Sequence, residues 1–395
     1  MSQVLAGVRV LDFGRYIAGP YCGALLADYG AEVIRIEKRN GGEDRFLAPV
    51  SDTGAGGLFM QMNRNKKSVT LDPMKPAGAE AVRRLVATAD VVIANLPAST
   101  LKAMKLDYDS LRTTKDNIIL ATASAFGATG PYAERVGFDS IGQAMSGAVY
   151  MTGEPGEPYR ASVPYVDFGT ALALAFGTLA ALMERGRTGK GQVVEGALLR
   201  TALNMMGPAL IEQAVLKIDR IPTGNRGQTS APSDILPTKD GFVLVAVVGQ
   251  PLFERWAKLM GDADTWLNDP RFKDDLARGD NAIAISARMR EWCAERTTAE
   301  AIAALEAARI PAGPVLSLQQ ALDDEHVVAT GYLQPVEYPG TRVPAPVPRS
   351  PVYLSETPGE IRTRAPLLGE HTDEVLTSVG YSKEEIAGLR EKGVV

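Results

Sequence analysis

Through its first half the chain exchanges short β-like runs for helical patterns again and again. Val8–Phe13 (VRVLDF) reads as a strand, YCGALLADYG as a helix closing on Gly30, and Ala31–Glu37 (AEVIRIE) as the next strand, a βαβ opening. The exchange recurs at KSVTLD around Val69, at the helical GAEAVRRLVATA, at Val91–Asn95 (VVIAN) and at Asn117–Ser124 (NIILATAS). Strands separated by helices pair in parallel through crossovers, so at least four of these runs belong to one sheet. The helix from Phe168 and the strand Gly191–Leu198 (GQVVEGAL) extend that layer. The pattern predicts a Rossmann-like α/β domain, with no repeat longer than the βα unit.

The text changes at Thr223, where TGNRGQTSAPSD has the polar, Gly- and Pro-containing composition of a linker. Residues 1–222 are therefore expected to form a large domain and 223–330 a smaller α+β domain. In the latter, DILPTKDGFVLVAVV reads as two strands joined at Asp240-Gly241, a hairpin signal. Helical patterns follow at PLFERWAKLMG, AIAISARMREWCAE and TAEAIAALEAA. The segment 331–395 opens with GYLQPVEYPGTRVPAPVPRSP, too rich in proline for a helix or central strand, and is expected to be an extended connection before one or two short helices.

Bulk properties narrow the function. The 395 residues carry a net charge of -5 and are 45% hydrophobic, which describes an ordered globular chain without the basic surface that nucleic acid requires. A small anion with its own basic pocket stays compatible. Cys22 and Cys293 stand alone, so neither a disulfide framework nor a zinc site is expected, and a reducing compartment fits. The N-terminus enters a strand pattern directly, without a signal segment, which points to the cytoplasm. From Phe168 to Met183 no charge occurs, but this run is shorter than a bilayer span and is bracketed by Asp167 and Glu184; a buried helix is expected rather than a membrane one.

The nucleotide motifs GxxxxGK[ST] and GxGxxG are absent, and the two histidines lie far apart, which removes the usual carriers of nucleotide hydrolysis, dinucleotide chemistry and metal catalysis. Asp167 stands where the apolar helix begins. Its structural role would be that of an N-cap; its chemical role would be that of a carboxylate kept ionised by the helix dipole and exposed to a ligand. Gly169, Thr170 and Ala171 beyond it leave room for an acyl group. The basic runs IRIEKR (Ile34–Arg39) and NRNKKS (Asn63–Ser68) are either a solvated face or, placed at strand ends of a parallel sheet, a site for a nucleotide with several phosphates. Ser124–Gly147 joins a strand to a helix through a turn-rich loop with Asp139 near the helix start, and VVGQP (Val247–Pro251) is a strand-to-helix turn.

Taken in order, GVRVLDFGRYIAGP, GAEVIRIEK, NRNKKSVTLD, SAFGATGPY, GFDSIGQAMSG, YVDFGTALA, RTGKGQVVE, IPAGPV and LGEHTDEVL resemble the class III CoA-transferases, a family that includes formyl-CoA transferase, carnitine CoA-transferase and the α-methylacyl-CoA racemases. The resemblance runs from Leu5 to Leu376. It implies that Asp167 is a nucleophile that carries first an acyl group and then CoA, with acyl-CoA as substrate and no tightly bound cofactor or metal. It further implies that Ile17, Ala18, Lys38, Leu71 and Asn95 contact CoA. The chain departs from the family at LDPMK, which moves a basic group to Lys75, and at Ala103, where an arginine is replaced and Lys102 is adjacent.

Asp139, Gly249 and Gln250 match the acid-binding pocket, with only VVGQ left of the glycine-rich loop, which favours an acid larger than oxalate, such as a C4–C5 dicarboxylate or an aryl acid. The racemases need a proton-transferring histidine where this chain has Phe138, so the transferase branch is favoured. A non-catalytic CoA-binding subunit of a dehydratase would keep the fold without a reactive Asp167, and a dinucleotide-dependent oxidoreductase would share the sheet. The implied assembly is an interlocked, ring-like homodimer whose C-terminal section returns to the large domain, with no membrane or nucleic-acid partner.

Overall fold

The structure, a computed structural model, describes residues 3–395. Six strands form a wholly parallel sheet: β1 (Arg9–Asp12), β2 (Glu32–Glu37), β3 (Lys66–Thr70), β4 (Val91–Ala94), β5 (Ile119–Ser124) and β6 (Val193–Ala197), in the spatial order β3-β2-β1-β4-β5-β6. The strand order reverses beside β1, which creates a crevice at the carboxyl ends of β1 and β4, where open α/β sheets bind ligands.

Both faces of the sheet are covered, which is why β4 (VVIA) reads as an unbroken apolar run rather than an alternating one. Leu11, Ile34, Val69 and Val92 point to one face and pack on α2 (Pro76–Thr88) and on two C-terminal helices, α10 (Thr372–Ser378) and α11 (Lys383–Glu391). Val10, Val33, Val91, Ile93 and Ile119 point to the other face and pack on α1 (Ala18–Asp28) and α4 (Tyr165–Thr188). Alternation along each strand thus divides the residues between two cores.

The chain separates into two compact units: Met1–Ser146, Ala161–Ala214 and Thr330–Val395 make the first, and Gly147–Arg160 with Val215–Ala329 the second. In the second unit β7 (Ser233–Pro237) and β8 (Phe242–Ala246) form the expected antiparallel hairpin, and β9 (Ala312–Pro314) pairs with the free edge of β8. One face of this small sheet carries α7 (Gln250–Met260), α8 (Ala282–Ala294) and α9 (Thr298–Ala307) around Trp256, Met289 and Leu305.

Two expectations need correction. The Pro-rich stretch is no simple extended connection, because β10 (Leu333–Val336) and β11 (Ala345–Pro348) pair antiparallel with each other, Pro335 opposite Pro346. A two-stranded ribbon tolerates proline because alternate residues of each strand turn their backbone nitrogen to an open edge, where no donor is required. The uncharged helix is also longer and less buried than expected. It runs for 24 residues, and among the described residues it alone is long and apolar enough to cross a membrane, with 39% of its apolar window buried. Thr170, Ala171, Leu174, Ala175 and Thr178 face the core, whereas Leu172, Phe176 and Met183 face outward.

Candidate active site

A cleft of about 680 Å³ opens at the carboxyl ends of β1 to β4 and lies wholly within the first unit. Phe13 and Arg15 come from the turn after β1, Glu37, Lys38 and Arg39 from the end of β2, Leu71 to Lys75 from the end of β3, and Leu96, Thr100 and Met104 from beyond β4. Of the expected coenzyme contacts, Lys38, Leu71 and Lys75 line this cleft. Ile17 and Ala18 are buried at the start of α1, and Ile17 offers its helix no side-chain cap. Asn95 acts on the turn: its amide oxygen accepts the Arg15 N–H at 2.6 Å and its amide nitrogen donates to the Arg15 carbonyl at 2.8 Å. Lys102 is exposed between Leu101 and Ala103 and is not among the lining residues.

The cations divide into those already neutralised and those facing the cleft. NRNKKS belongs to the first class, since each of its three cations is paired with a carboxylate. Arg64 forms a buried bidentate pair with Asp28, Lys66 is buried against Asp12, and Lys67 bridges Glu32 and Glu374. The run stands at the amino end of β3, whereas the cleft opens at the carboxyl end. Within IRIEKR, Arg35 pairs with Asp44 at 2.6 Å and lies 3.5 Å from Glu37, which takes Arg45 bidentately.

Lys38 reaches only the exposed Glu43, at 3.0 Å. Lys75 donates to the carbonyls of Lys392 and Gly393, at 2.9 and 2.8 Å, which are neutral acceptors. Arg15, bonded to the Gly14 carbonyl, and Arg39 have no carboxylate partner among the described residues. A Cβ at Gly393 would come within 2.9 Å of the Arg39 guanidinium, so the glycine makes space for that cation. Sequence reasoning missed Arg15 and Gly393 and held Arg39 only as the end of the basic run IRIEKR, directly after a strand of the parallel sheet.

Asp167 lies in the first turn of α4, but Pro164 is the N-cap residue. The cap hydrogen bonds come from Asp139, the first residue of α3 (Asp139–Met145). Its Oδ1 accepts the N–H of Val166 at 2.8 Å and of Asp167 at 3.0 Å, and its Oδ2 accepts from Gln143. The capping carboxylate is therefore borrowed from another helix, and the side chain of Asp167 is left free of that duty. The pKa of Asp167 is not held down as a dipole argument expects. Burial first, and the nearby Asp139 carboxylate second, push it up to about 7.

Two aromatic contacts lie between the starts of α4 and α3 and the segment that follows β1. Tyr21 of α1 meets Phe168 edge-on at 5.0 Å, and Tyr16 meets Phe138 at 5.6 Å. Phe138, which carries no titratable group, is 61% exposed beside Asp139. Replacing Asp139 tests the cap directly. Asp139→Asn keeps an acceptor for the helix N–H groups and moves the ionisation of Asp167 to lower pH. Asp139→Ala removes the acceptor and lowers thermal stability by about 1–2 kcal/mol, measurable by denaturation.

Gly249 and Gln250 belong to the second unit, at the start of α7. Gly249 has φ 88°, a conformation that favours glycine, and donates its N–H to Asp275 at 2.8 Å; Gln250 accepts from Arg278.

Comparison with known proteins bears on this arrangement. The chain is 34% identical over 99% of its length to succinyl-CoA–D-citramalate CoA-transferase of Chloroflexus aurantiacus, covering 98% of that protein. It is 34% identical over 95% of its length to succinate–glutarate CoA-transferase of Agrobacterium fabrum, covering 95% of it. A crystal structure of a CAIB/BAIF family protein from Brucella suis superposes with a TM-score of 0.84 at 31% identity, covering 96% of this chain and 100% of that one. The model of CoA-transferase family III matches residues 5–372, nearly the whole chain. With its six-stranded parallel sheet and this extent of agreement, the chain belongs to CoA-transferase family III and is an enzyme that transfers CoA.

Proposed function

We propose that the enzyme moves CoA from succinyl-CoA to a C4–C5 dicarboxylic acid, with Asp167 as the covalent carrier. The observation that carries this reading is the Asp167 carboxyl at the start of α4, relieved of capping by Asp139 and followed by Phe168, which meets Tyr21 of α1, the helix after the turn of the cation-lined cleft. The names of the relatives, which act on succinyl-CoA, succinate, glutarate and citramalate, support the class of donor and acceptor.

In the first step an Asp167 oxygen attacks the thioester carbonyl of the donor, forming a mixed anhydride and expelling CoA thiolate. The thiolate then attacks the Asp167 carbonyl carbon, giving an aspartyl-CoA thioester and releasing the donor acid. The acceptor carboxylate attacks that thioester to form a second anhydride, and the expelled thiolate attacks the acceptor's acyl carbon. The new thioester leaves and Asp167 is restored as a carboxylate. Four nucleophilic attacks, one by Asp167, two by the thiolate and one by the acceptor, replace one unfavourable exchange.

Peptide mass spectrometry after mixing with succinyl-CoA tests the reading. A CoA-sized adduct on the peptide holding Asp167, absent from Asp167→Ala, is the expected result. An unmodified peptide under conditions of measurable turnover would overturn it. Because the first step needs the carboxylate, kcat/KM should rise with pH and level off above about 7, the value at which Asp167 ionises.

In the cleft, Arg15, Arg39 and Lys75 are read as the cations for the coenzyme phosphates, with Lys38 at the rim. Arg39→Ala is expected to raise KM for acyl-CoA about tenfold or more, the effect of one charge-assisted hydrogen bond. Lys38→Ala, whose side chain is exposed and already paired, should change it about twofold or less.

The assembly is read as an interlocked homodimer. The outward row Leu172, Phe176 and Met183 on α4, with Leu203 and Met205 on α5 (Leu198–Met205), exposes large apolar side chains of the kind that a partner covers. Light scattering should find twice the chain mass, and Phe176→Glu should lower it or reduce solubility.

A further inference from the structure

Lys66 is fully buried, and the chemistry above makes no use of it. Its ammonium has three donors and three acceptors: Asp12 Oδ2 at 2.7 Å, the Pro20 carbonyl at 2.7 Å and Asn63 Oδ1 at 3.1 Å. Two of these acceptors stand at opposite ends of one short turn. Asp12 ends β1, and its other oxygen accepts the Gly14 N–H at 2.7 Å; Pro20 lies in the first turn of α1. Between them lie Phe13 and Arg15, which line the cleft.

The turn is over-determined. Gly14 has no room for a side chain, since a Cβ there would stand 2.7 Å from both Asp12 Oδ1 and Pro20 Cδ. Tyr16 is held at φ 60°, in the left-handed region that a residue with a Cβ seldom adopts. Asn95 grips Arg15 from the side of β4. On α1, a Cβ at Gly23 would lie 3.3 Å from the Lys66 ammonium, so the helix presents a glycine where the cation needs space.

We propose that the Asp12–Lys66 ion pair is a positioning device for coenzyme binding: it locks the Gly14–Ile17 turn in the conformation that CoA meets, without touching the ligand. The inference rests on the coenzyme reading of the cleft. Its physical basis is pre-organisation. A turn already held in the bound geometry spends no binding free energy on ordering, and a loosened turn weakens affinity without altering the chemical step. Buried ion pairs are commonly replaceable by apolar isosteres with little loss of stability, so a role in positioning can be separated from a role in folding.

The test is the double variant Asp12→Asn/Lys66→Met, which removes both charges at nearly constant volume, with CoA binding followed by calorimetry and turnover by steady-state kinetics. The expected outcome is a cooperatively folded protein that binds CoA about tenfold more weakly, with KM for acyl-CoA raised by a similar factor and kcat within about threefold of wild type. A folded double variant that binds CoA as tightly as wild type overturns the inference and leaves the coenzyme reading intact. A wild-type chain that binds no CoA removes both. Should the double variant not fold, Gly23→Ala, which crowds the ammonium from α1, puts the same question: several-fold weaker CoA binding at unchanged kcat supports the inference, and wild-type affinity counts against it.

Discussion

Asp167→Asn is expected to abolish CoA transfer, lowering kcat/KM by about 10³-fold or more, and at the same time to stabilise the protein at alkaline pH. The first effect follows from removing the nucleophile, since an amide oxygen cannot form the anhydride. The second follows from linkage. The pKa of Asp167 is about 7 in the fold and 3.8 ordinarily, so the unfolded chain gives up its proton first. Stability is then fully retained below pH 4, falls as pH rises and is reduced to its lower plateau above about 7. An asparagine does not ionise and escapes that loss. The variant should match wild type near pH 4 and exceed it at pH 8 by about 1–4 kcal/mol, since each tenfold difference in proton affinity between folded and unfolded chain is worth about 1.4 kcal/mol. Thermal denaturation at the two pH values checks the sign. A variant no more stable than wild type at pH 8 would show that the carboxyl is better solvated than its burial implies. Such an exchange of stability for reactivity is the usual signature of a functional group.

Glu37→Ala is expected to have the largest effect on folding. Glu37 is fully buried, takes Arg45 through two hydrogen bonds at 2.6 and 3.1 Å, accepts from Ser68 at 2.8 Å and lies 3.5 Å from Arg35. Arg45 also stacks over Phe59 at 3.8 Å, so it cannot swing out to water without leaving a void. Burial would raise the pKa of Glu37, but Arg35 and Arg45 hold it below the ordinary value. Truncation leaves the buried Arg45 without its carboxylate and Arg35 with Asp44 alone, a loss of about 3–5 kcal/mol. Denaturant titration against Lys38→Ala provides the comparison. The Lys38–Glu43 pair is 61% and 67% exposed, and its removal should cost less than about 1 kcal/mol. Equal losses from the two variants would refute the account of the buried network. Since Glu37 also borders the cleft, the variant should bind acyl-CoA more weakly even where it remains folded.

Asp167 and the Glu37 network differ in how far the sequence announces them. The strands β1 to β6 were legible because both faces of a parallel sheet are buried, which leaves compact β-branched runs between helical patterns. The hairpin at Asp240-Gly241 was legible from its turn chemistry. The Pro-rich ribbon was not, because proline statistics speak against central strands and leave two-stranded edges open. Asp167 could be singled out as the one charge at the mouth of an apolar helix. That Asp139 caps this helix in its place could not be, since the two residues come together only through the packing of α3 against α4.

Basic residues show the same division. Their spacing in NRNKKS and IRIEKR says nothing of which carboxylates stand opposite, and it is these that remove Arg64, Lys66, Arg35 and Arg45 from ligand binding while Arg39 and Arg15 remain available. Periodicity and turn chemistry act over a few neighbouring residues, so the linear text carries the elements, their order and the parallel pairing. Charge pairing, capping across helices and the proton affinity of a carboxyl depend on groups distant in the chain and near in space. Those were settled only when the sheet closed its two cores and α3 packed against α4.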